Sequence, residues 1–131
     1  MVFDARDGNG VAVYHTNVLM CIATDFAMIG LEMMTDAARR REVVLRLERS
    51  GRGVIALTND QIASFAGNAL ELQGNAARIL ALSTTALASL SRDERNTIEE
   101  SAELVALDIP TIERAGGSVR CTLAGIHLTP R

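Results

Sequence analysis

The chain contains an internal repeat with a period of about 50 residues. The apolar triplet 55–57 corresponds to the triplet 105–107 at an offset of 50, and Gly67 corresponds to Gly117 at the same offset. A unit of this size cannot bury both faces of a sheet by itself, so such units normally pack against one another. The repeat therefore predicts two similar units within one domain.

Each unit is predicted to run strand, strand, helix, strand, which defines an α/β fold. In the first unit, about 11–58, apolar runs at 18–23 and 26–31 flank Thr24-Asp25 and predict a hairpin. A charged amphipathic stretch then begins at Asp36 and ends at Gly51, as a helix with a C-terminal glycine does. The apolar run 54–57 predicts a buried strand.

The second unit, about 68–110, follows the same order. Residues 69–72 and 77–82 predict a hairpin across the Gln-Gly-Asn turn at 73–75. Ser91 and Glu94 have the spacing of a capping box and predict the start of a helix. Residues 105–107 predict its last strand, and a closing strand is expected at about 118–128. Two units alone would leave an open sheet edge.

The composition argues against nucleic acid and membrane as partners. The 131 residues include 13 Arg and no Lys against 16 acidic residues, for a net charge of −3, and aromatic residues make up 3%. Such a chain offers neither a basic surface nor a stacking platform. It also lacks the ~18–20 consecutive apolar residues of a membrane span. The acidic start has no apolar signal segment, so we expect a cytoplasmic protein.

The two cysteines differ in context. Cys21 lies in an apolar run and is expected to be a small core residue, and a disulfide to Cys121 is disfavoured in a reducing compartment. The chain has two His and two Cys, widely spaced, so no pair has the spacing of metal ligands and no metal site is expected.

Three short segments stand at equivalent places in the repeat, namely 14–17, 65–68 and 116–121. Equivalent places in packed units point to a common centre. Cys121 follows Arg120 and the glycine pair 116–117, and a neighbouring cation favours the reactive thiolate. His15 is the candidate base. From spacing alone, Cys121 as a buried structural thiol, His15 as a structural histidine and Asn68 as a turn-forming residue remain open interpretations.

Residues 116–122, Gly-Gly-Ser-Val-Arg-Cys-Thr, resemble the nucleophile motif of the guanidine-modifying enzymes. This superfamily of arginine deiminases, agmatine deiminases, dimethylarginine hydrolases and amidinotransferases shares the pentein fold. Residues 14–18 and 65–68 most resemble the amidinotransferase or citrulline-utilising hydrolase branch. The resemblance extends from about Val11 onward. It implies five strand-strand-helix-strand units around a channel, of which this chain resembles the C-terminal two-fifths.

The resemblance implies a cysteine-dependent reaction on a small guanidino or ureido substrate, without metal or organic cofactor. Cys121 would attack the central carbon, and His15 would act first as acid and then as base toward water or an acceptor amine. Residues expected to bind the substrate are Asn17, Asn68, Gly117 and Arg120. Because His15-Thr16-Asn17 replaces the His-x-Asp found in many relatives, the sequence favours a neutral ureido group such as that of citrulline.

Several alternatives stay open. The pentein fold also serves a non-enzymatic ribosome-binding factor, and fold alone does not determine function. The chain is also interpreted as a fragment inactive by itself, because the acidic residues that bind the guanidinium in the family come largely from earlier units. Those missing units, or a second copy of the chain, would cover the open sheet edge. An unrelated cysteine hydrolase fits the 50-residue repeat least well.

Overall fold

The computed structural model describes residues 2–74 and 76–124, which form strands and short helices in alternation. The strands are β1 Met20–Ile22, β2 Phe26–Ile29, β3 Gly53–Ala56, β4 Leu70–Gln73, β5 Arg78–Ser83 and β6 Glu103–Leu107. The helices are α1 Thr16–Leu19, α2 Ala37–Arg49, α3 Asn59–Ala63, α4 Thr84–Ser89, α5 Arg92–Glu99 and α6 Pro110–Arg114. Two 3₁₀ helices lie at Leu31–Met33 and Val119–Thr122.

The described strands form two three-stranded sheets with the same topology. In the first sheet β1 pairs antiparallel with β2, and β2 pairs parallel with β3 across the helix α2. In the second sheet β4 pairs antiparallel with β5, and β5 pairs parallel with β6 across α4 and α5. The predicted mixed α/β class is therefore confirmed, and each sheet has the strand-strand-helix-strand order. The five-unit propeller stays a prediction.

The two longer helices have the end signals that the sequence predicted. Asp36 caps α2 by accepting hydrogen bonds from the backbone N–H groups of Ala38 at 2.7 Å and Arg39 at 3.2 Å. Both bonds lower the pKa of the Asp36 carboxyl, and the bond from Arg39 has the larger effect. Gly51 follows the C-terminus of α2 with φ 85°, a left-handed conformation that glycine adopts without strain.

The capping box predicted for α5 is present. Ser91 accepts from the backbone N–H of Glu94, and the Glu94 carboxylate accepts from the backbone N–H of Ser91. An unpredicted box of the same type starts α3, where Thr58 and Gln61 exchange equivalent bonds. Both devices satisfy N–H groups that a helix start leaves without intrahelical partners.

The closing strand expected at about 118–128 is not formed where the structure describes it. Val119–Thr122 adopt a 3₁₀ helix, because the backbone N–H of Cys121 bonds the Ser118 carbonyl at 3.1 Å and bends the chain. The alternation of apolar and polar residues does not encode such a local bond. The remainder of the expected strand, from 125 onward, lies outside the described residues.

One hydrophobic core runs through both sheets. The central strands β2 and β5 supply many of its most buried side chains, and α2 and α5 cover it with Val43 and Ile98. The cluster is continuous from the first unit to the second. β1 also lies against β4, so the segments that enter these two strands are neighbours. This contact brings the ends of the two units together where the candidate site forms.

Among the residues that the structure describes, no helix has the length and apolar character needed to cross a bilayer.

Candidate active site

Three side chains from the three repeated segments meet at the sulfur of Cys121. The Asn68 side-chain amide donates to Cys121 Sγ with a separation of 3.1 Å, and that of Asn17 donates with a separation of 3.5 Å. Asn17 is 104 residues from Cys121 in the sequence, and Asn68 is 53 residues from it. The fold therefore places together three segments that the repeat marks as equivalent.

Cys121 is exposed at the surface, within the second 3₁₀ helix. Two glycines, Gly116 and Gly117, precede this 3₁₀ helix. Gly116 has φ 88°, and a Cβ on Gly117 would lie 3.4 Å from the Cβ of Cys121 and 3.7 Å from its sulfur. Gly117 therefore lies beside the Cys121 side chain, and its expected contact with a substrate stays a prediction.

Asn68 lies in a tight passage between α3 and β4. Its side chain is buried, at 3% exposure. A Cβ on the preceding residue, Gly67, would lie 2.5 Å from the Val18 carbonyl oxygen, so only glycine allows the two backbones to approach this closely. Phe65, three residues before Asn68, has φ 64° and bends the chain into this passage.

Asn17 lies in α1 and is half-buried. Its amide nitrogen donates to the Cys121 sulfur, whereas its Oδ1 is buried without a hydrogen-bond partner among the described residues. A buried acceptor without a partner costs free energy and is available to a donor on a ligand. This acceptor belongs to the same amide group that contacts the sulfur.

Arg120 bonds the backbone of two other segments. Its Nη1 donates to the Met20 carbonyl at 3.1 Å, in strand β1, and its backbone N–H donates to the Asn68 carbonyl at 3.3 Å. The guanidinium therefore joins the cysteine segment to the first sheet. The substrate contact expected of Arg120 from the resemblance stays a prediction.

Cys21 is the second cysteine and lies in β1 with 1% exposure. Burial raises the pKa of its thiol from 9.0 to about 11, and the positive charge of Arg120 opposes part of that rise. A thiol with such a pKa is protonated and unreactive near neutral pH. Cys21 is therefore a core residue, as its apolar surroundings in the sequence predicted, and both cysteines are free thiols.

His15 is exposed and forms the N-cap of α1. Its ring packs edge-on against Tyr14, with 4.8 Å between the ring centroids. Within the described part of the chain, no hydrogen bond joins the imidazole to Cys121, Asn17 or Asn68. His15 lines a surface cavity of about 280 Å³ with Tyr14 and Phe3. The structure thus places His15 beside the Asn17 segment, without a direct contact to the sulfur.

A larger cavity, of about 510 Å³, borders the site at Asn68 and Gly116. Its wall is mainly apolar and includes Phe65, and two carboxylates, Asp7 and Asp60, also line it. These two acids lie outside the three repeated segments, so the repeat did not indicate them. Asp60 lies in the first turn of α3, and the Thr-x-x-Gln spacing of its capping box was the available signal for that helix.

The part of the chain that the structure describes contains no group of three or more His, Cys, Asp or Glu side chains that could hold a metal ion. The arrangement at Cys121 is instead that of a candidate nucleophile. The thiolate is the reactive form of cysteine, and an exposed sulfur is accessible to a substrate carbon.

Several solved structures with a similar fold are of a cyanobacterial protein. ArgZ, an arginine dihydrolase of the ornithine-ammonia cycle, superposes in its apo form with a TM-score of 0.64 and 18% identity, covering 89% of this chain and 17% of ArgZ. Its N-terminal domain bound to product gives a TM-score of 0.59 and 19% identity, covering 82% of this chain and 36% of the domain chain. A variant of that domain, covalently bound to a reaction intermediate, gives the same values. The present chain therefore spans only a minor part of these neighbours.

No curated protein sequence matches the chain. A family model described as N,N dimethylarginine dimethylhydrolase, eukaryotic, matches residues 1–128. This match covers almost the whole chain, and the fold agrees with a guanidine-modifying enzyme. The amidinotransferase or citrulline-utilising hydrolase branch suggested by residues 14–18 and 65–68 stays a prediction. The chain belongs to the N,N-dimethylarginine dimethylhydrolase family, within the pentein superfamily of guanidine-modifying enzymes.

Proposed function

We propose that the protein carrying this chain hydrolyses the guanidino group of an arginine-type substrate, with Cys121 as the nucleophile. One observation carries the proposal: an exposed cysteine sulfur receives two amide N–H donors where three repeated segments meet. The family match and the name of the arginine dihydrolase neighbours support the same reaction class. These relatives are hydrolases, so water is the favoured acceptor over an amine.

In the first step, the Cys121 thiolate attacks the central guanidino carbon and a C–S bond forms. The C–N bond to the leaving nitrogen then breaks, and that nitrogen departs as an amine with a proton from the protein. In the second step, water attacks the resulting thiouronium carbon and loses a proton. The C–S bond breaks, the thiolate returns, the remaining hydroxyl proton passes to solvent water, and a neutral ureido product leaves. This is nucleophilic catalysis followed by general-base hydrolysis.

His15 is proposed as the group that supplies and then accepts the proton. Two residues of chain span at most about 7 Å between Cα atoms, so His15 lies close to Asn17, whose amide contacts the sulfur. Its exposed imidazole is free to turn toward a substrate that occupies the site. One imidazole acting first as acid and then as base matches both steps.

Asn17 is proposed to bind the substrate through its unpaired Oδ1. This oxygen accepts an N–H from either a guanidinium or a ureido group, so the amide does not by itself select citrulline over arginine. Asp7 and Asp60 in the adjoining cavity favour a cationic substrate. We therefore propose an arginine-type guanidinium in preference to the neutral ureido group that the sequence suggested.

Covalent labelling with chloroacetamidine, a guanidino mimic, tests the nucleophile. We expect mass spectrometry to find one adduct on Cys121 in the wild type and in Cys21→Ala, and none in Cys121→Ala. Turnover of arginine, dimethylarginine and citrulline, measured as released amine, should fall below about a thousandth in Cys121→Ala. An adduct on Cys21, or turnover that survives the loss of Cys121, would contradict the proposal.

The His15→Ala variant tests the proton transfer. We expect it to keep the chloroacetamidine adduct on Cys121, while substrate turnover falls by about 10²–10⁴-fold. His15→Asn retains a polar side chain without the titration and serves as the matched variant. Turnover that is equal to the wild type in both variants would remove His15 from the mechanism.

A further inference from the structure

The side chain of Asn68 uses both of its amide hydrogens on neighbouring groups of the protein. One Nδ2 hydrogen bond goes to Cys121 Sγ at 3.1 Å and another to the Asn17 carbonyl at 2.9 Å. Its Oδ1 accepts from the backbone N–H of Cys121 at 3.4 Å. An asparagine amide has two donor hydrogens, so Nδ2 has none left for a substrate.

We infer that Asn68 is a positioning residue that orients the Cys121 sulfur as a hydrogen-bond acceptor, and that it does not bind the substrate. The inference rests on the proposed role of Cys121 as nucleophile. It replaces the substrate contact that the sequence resemblance gave to Asn68.

The amide of Asn68 has one orientation in this network. Turning it by 180° would place Oδ1 against the sulfur and against the Asn17 carbonyl, so that acceptors face acceptors. It would also place the NH₂ group against the backbone N–H of Cys121, which is itself a donor. Since Asn68 is almost fully buried, water does not replace the lost partners.

Main-chain contacts hold Asn68 itself in place. Its backbone N–H donates to the Phe65 carbonyl at 2.8 Å, and its carbonyl accepts from the Arg120 N–H at 3.3 Å. The Arg120 side chain in turn donates to the Met20 carbonyl. A rigid side chain therefore holds the cysteine segment against the first sheet and directs one N–H at the sulfur.

The reactivity of the Cys121 sulfur is expected to depend on the hydrogen-bond donor that this amide supplies. Replacing Asn68 with Asp keeps the shape but exchanges the NH₂ donor for a carboxylate oxygen, which places like charges together when the thiolate forms. The other charged or titratable groups near the site are Arg120, His15 on the α1 side, Glu113 of α6, which accepts a hydrogen bond from Ser118, and Asp7 and Asp60 in the adjoining cavity. The substitution leaves all five unchanged.

Alkylation of Cys121 by iodoacetamide, followed against pH by peptide mass spectrometry, tests the inference. We expect the pH at half-maximal rate to rise by at least about one unit in Asn68→Asp, because below that pH each unit lowers the thiolate fraction about tenfold. Asn96→Asp is the matched control, since Asn96 is exposed on α5, and it should leave the midpoint unchanged. Cys21 stays unlabelled, because its pKa is raised to about 11.

Steady-state kinetics separate positioning from substrate binding. A positioning role lowers kcat in Asn68→Asp with a change in KM of less than about twofold, whereas a substrate-binding role raises KM. An unchanged alkylation midpoint, or a rise in KM with an unchanged midpoint, would overturn the inference. If Asn68→Asp fails to fold by circular dichroism, Asn68→Ser takes its place, with a smaller upward shift of the midpoint expected and the same overturning result.

Failure of the proposed function would give a different result. In that case chloroacetamidine would not label Cys121 in the wild type, while the iodoacetamide midpoint would still report whether Asn68 controls the sulfur.

Discussion

Gly67 lies where the chain of the second unit passes closest to the first. A Cβ at this position would lie 2.5 Å from the Val18 carbonyl oxygen and 3.0 Å from the carbonyl carbon of Leu19, both of them backbone atoms. We expect Gly67→Ala to lower the free energy of unfolding by about 1–3 kcal/mol, because the backbone has to move apart. Urea denaturation followed by circular dichroism measures the loss.

Gly8→Ala is the matched control for this substitution. Among the described residues, no heavy atom outside Gly8 and its chain neighbours lies within 4 Å of a Cβ built on Gly8, so the free energy of unfolding should change by less than about 0.5 kcal/mol. Because Asn68 follows Gly67 directly, Gly67→Ala should also slow the alkylation of Cys121. Equal stability of the two alanine variants would show that the close approach of the backbones is not a constraint.

At the scale of single residues, the sequence predicts burial better than it predicts contacts. The apolar run around Cys21 indicates a core thiol, and the structure buries it. By contrast, the bonds of Asn68 go to groups 51 and 53 residues away in the sequence. The repeat points to a common centre, but no local pattern says which atoms of the amide meet which partners.

At the scale of elements, the sequence predicts those that carry their own signals. The two hairpins, α2 with its glycine end and α5 with its capping box follow from periodicity and end residues. The helices α1, α3, α4 and α6 have only four to six residues, too short to be stable alone, so tertiary contacts determine them. The same reason explains the 3₁₀ helix at Cys121, where a strand was expected.

One side chain ties the β1–β2 turn to the second sheet. Glu71 of β4 accepts hydrogen bonds from the backbone N–H of Thr24 at 3.1 Å and from its hydroxyl at 2.5 Å. The neighbouring Asp25 forms an ion pair with Arg78 of β5. We expect Glu71→Ala to lower the free energy of unfolding by about 1–2 kcal/mol, because the Thr24 donors lose a charged acceptor.

The control for Glu71→Ala is Glu103→Ala. Glu103 is an exposed strand residue in β6, and no hydrogen bond to its carboxylate is present among the described residues. Its replacement should change stability by less than about 0.5 kcal/mol in the same urea titration. If both variants lose the same amount, the effect belongs to strand propensity and not to the link between the sheets.

At the scale of the whole molecule, the two units share a single core. Residues of the first unit such as Phe26 and Met28 belong to the same buried cluster as Leu80, Leu82 and Ile98 of the second. The sequence repeat predicts that such units pack together, because neither hides its sheet alone. The site depends on this packing, since Asn17, Asn68 and Cys121 come from different parts of the repeat.

A shared core predicts one cooperative unfolding transition. Cys21 is buried in β1, so its reaction with a disulfide reagent reports exposure of the first sheet. In Cys121→Ser, where Cys21 is the remaining thiol, we expect thiol exposure and far-ultraviolet circular dichroism to change at the same urea concentration. Glu71→Ala should lower both midpoints together, because the link it removes joins the sheets. Exposure of Cys21 at lower urea, before the second sheet unfolds, would show that the two units are separately stable.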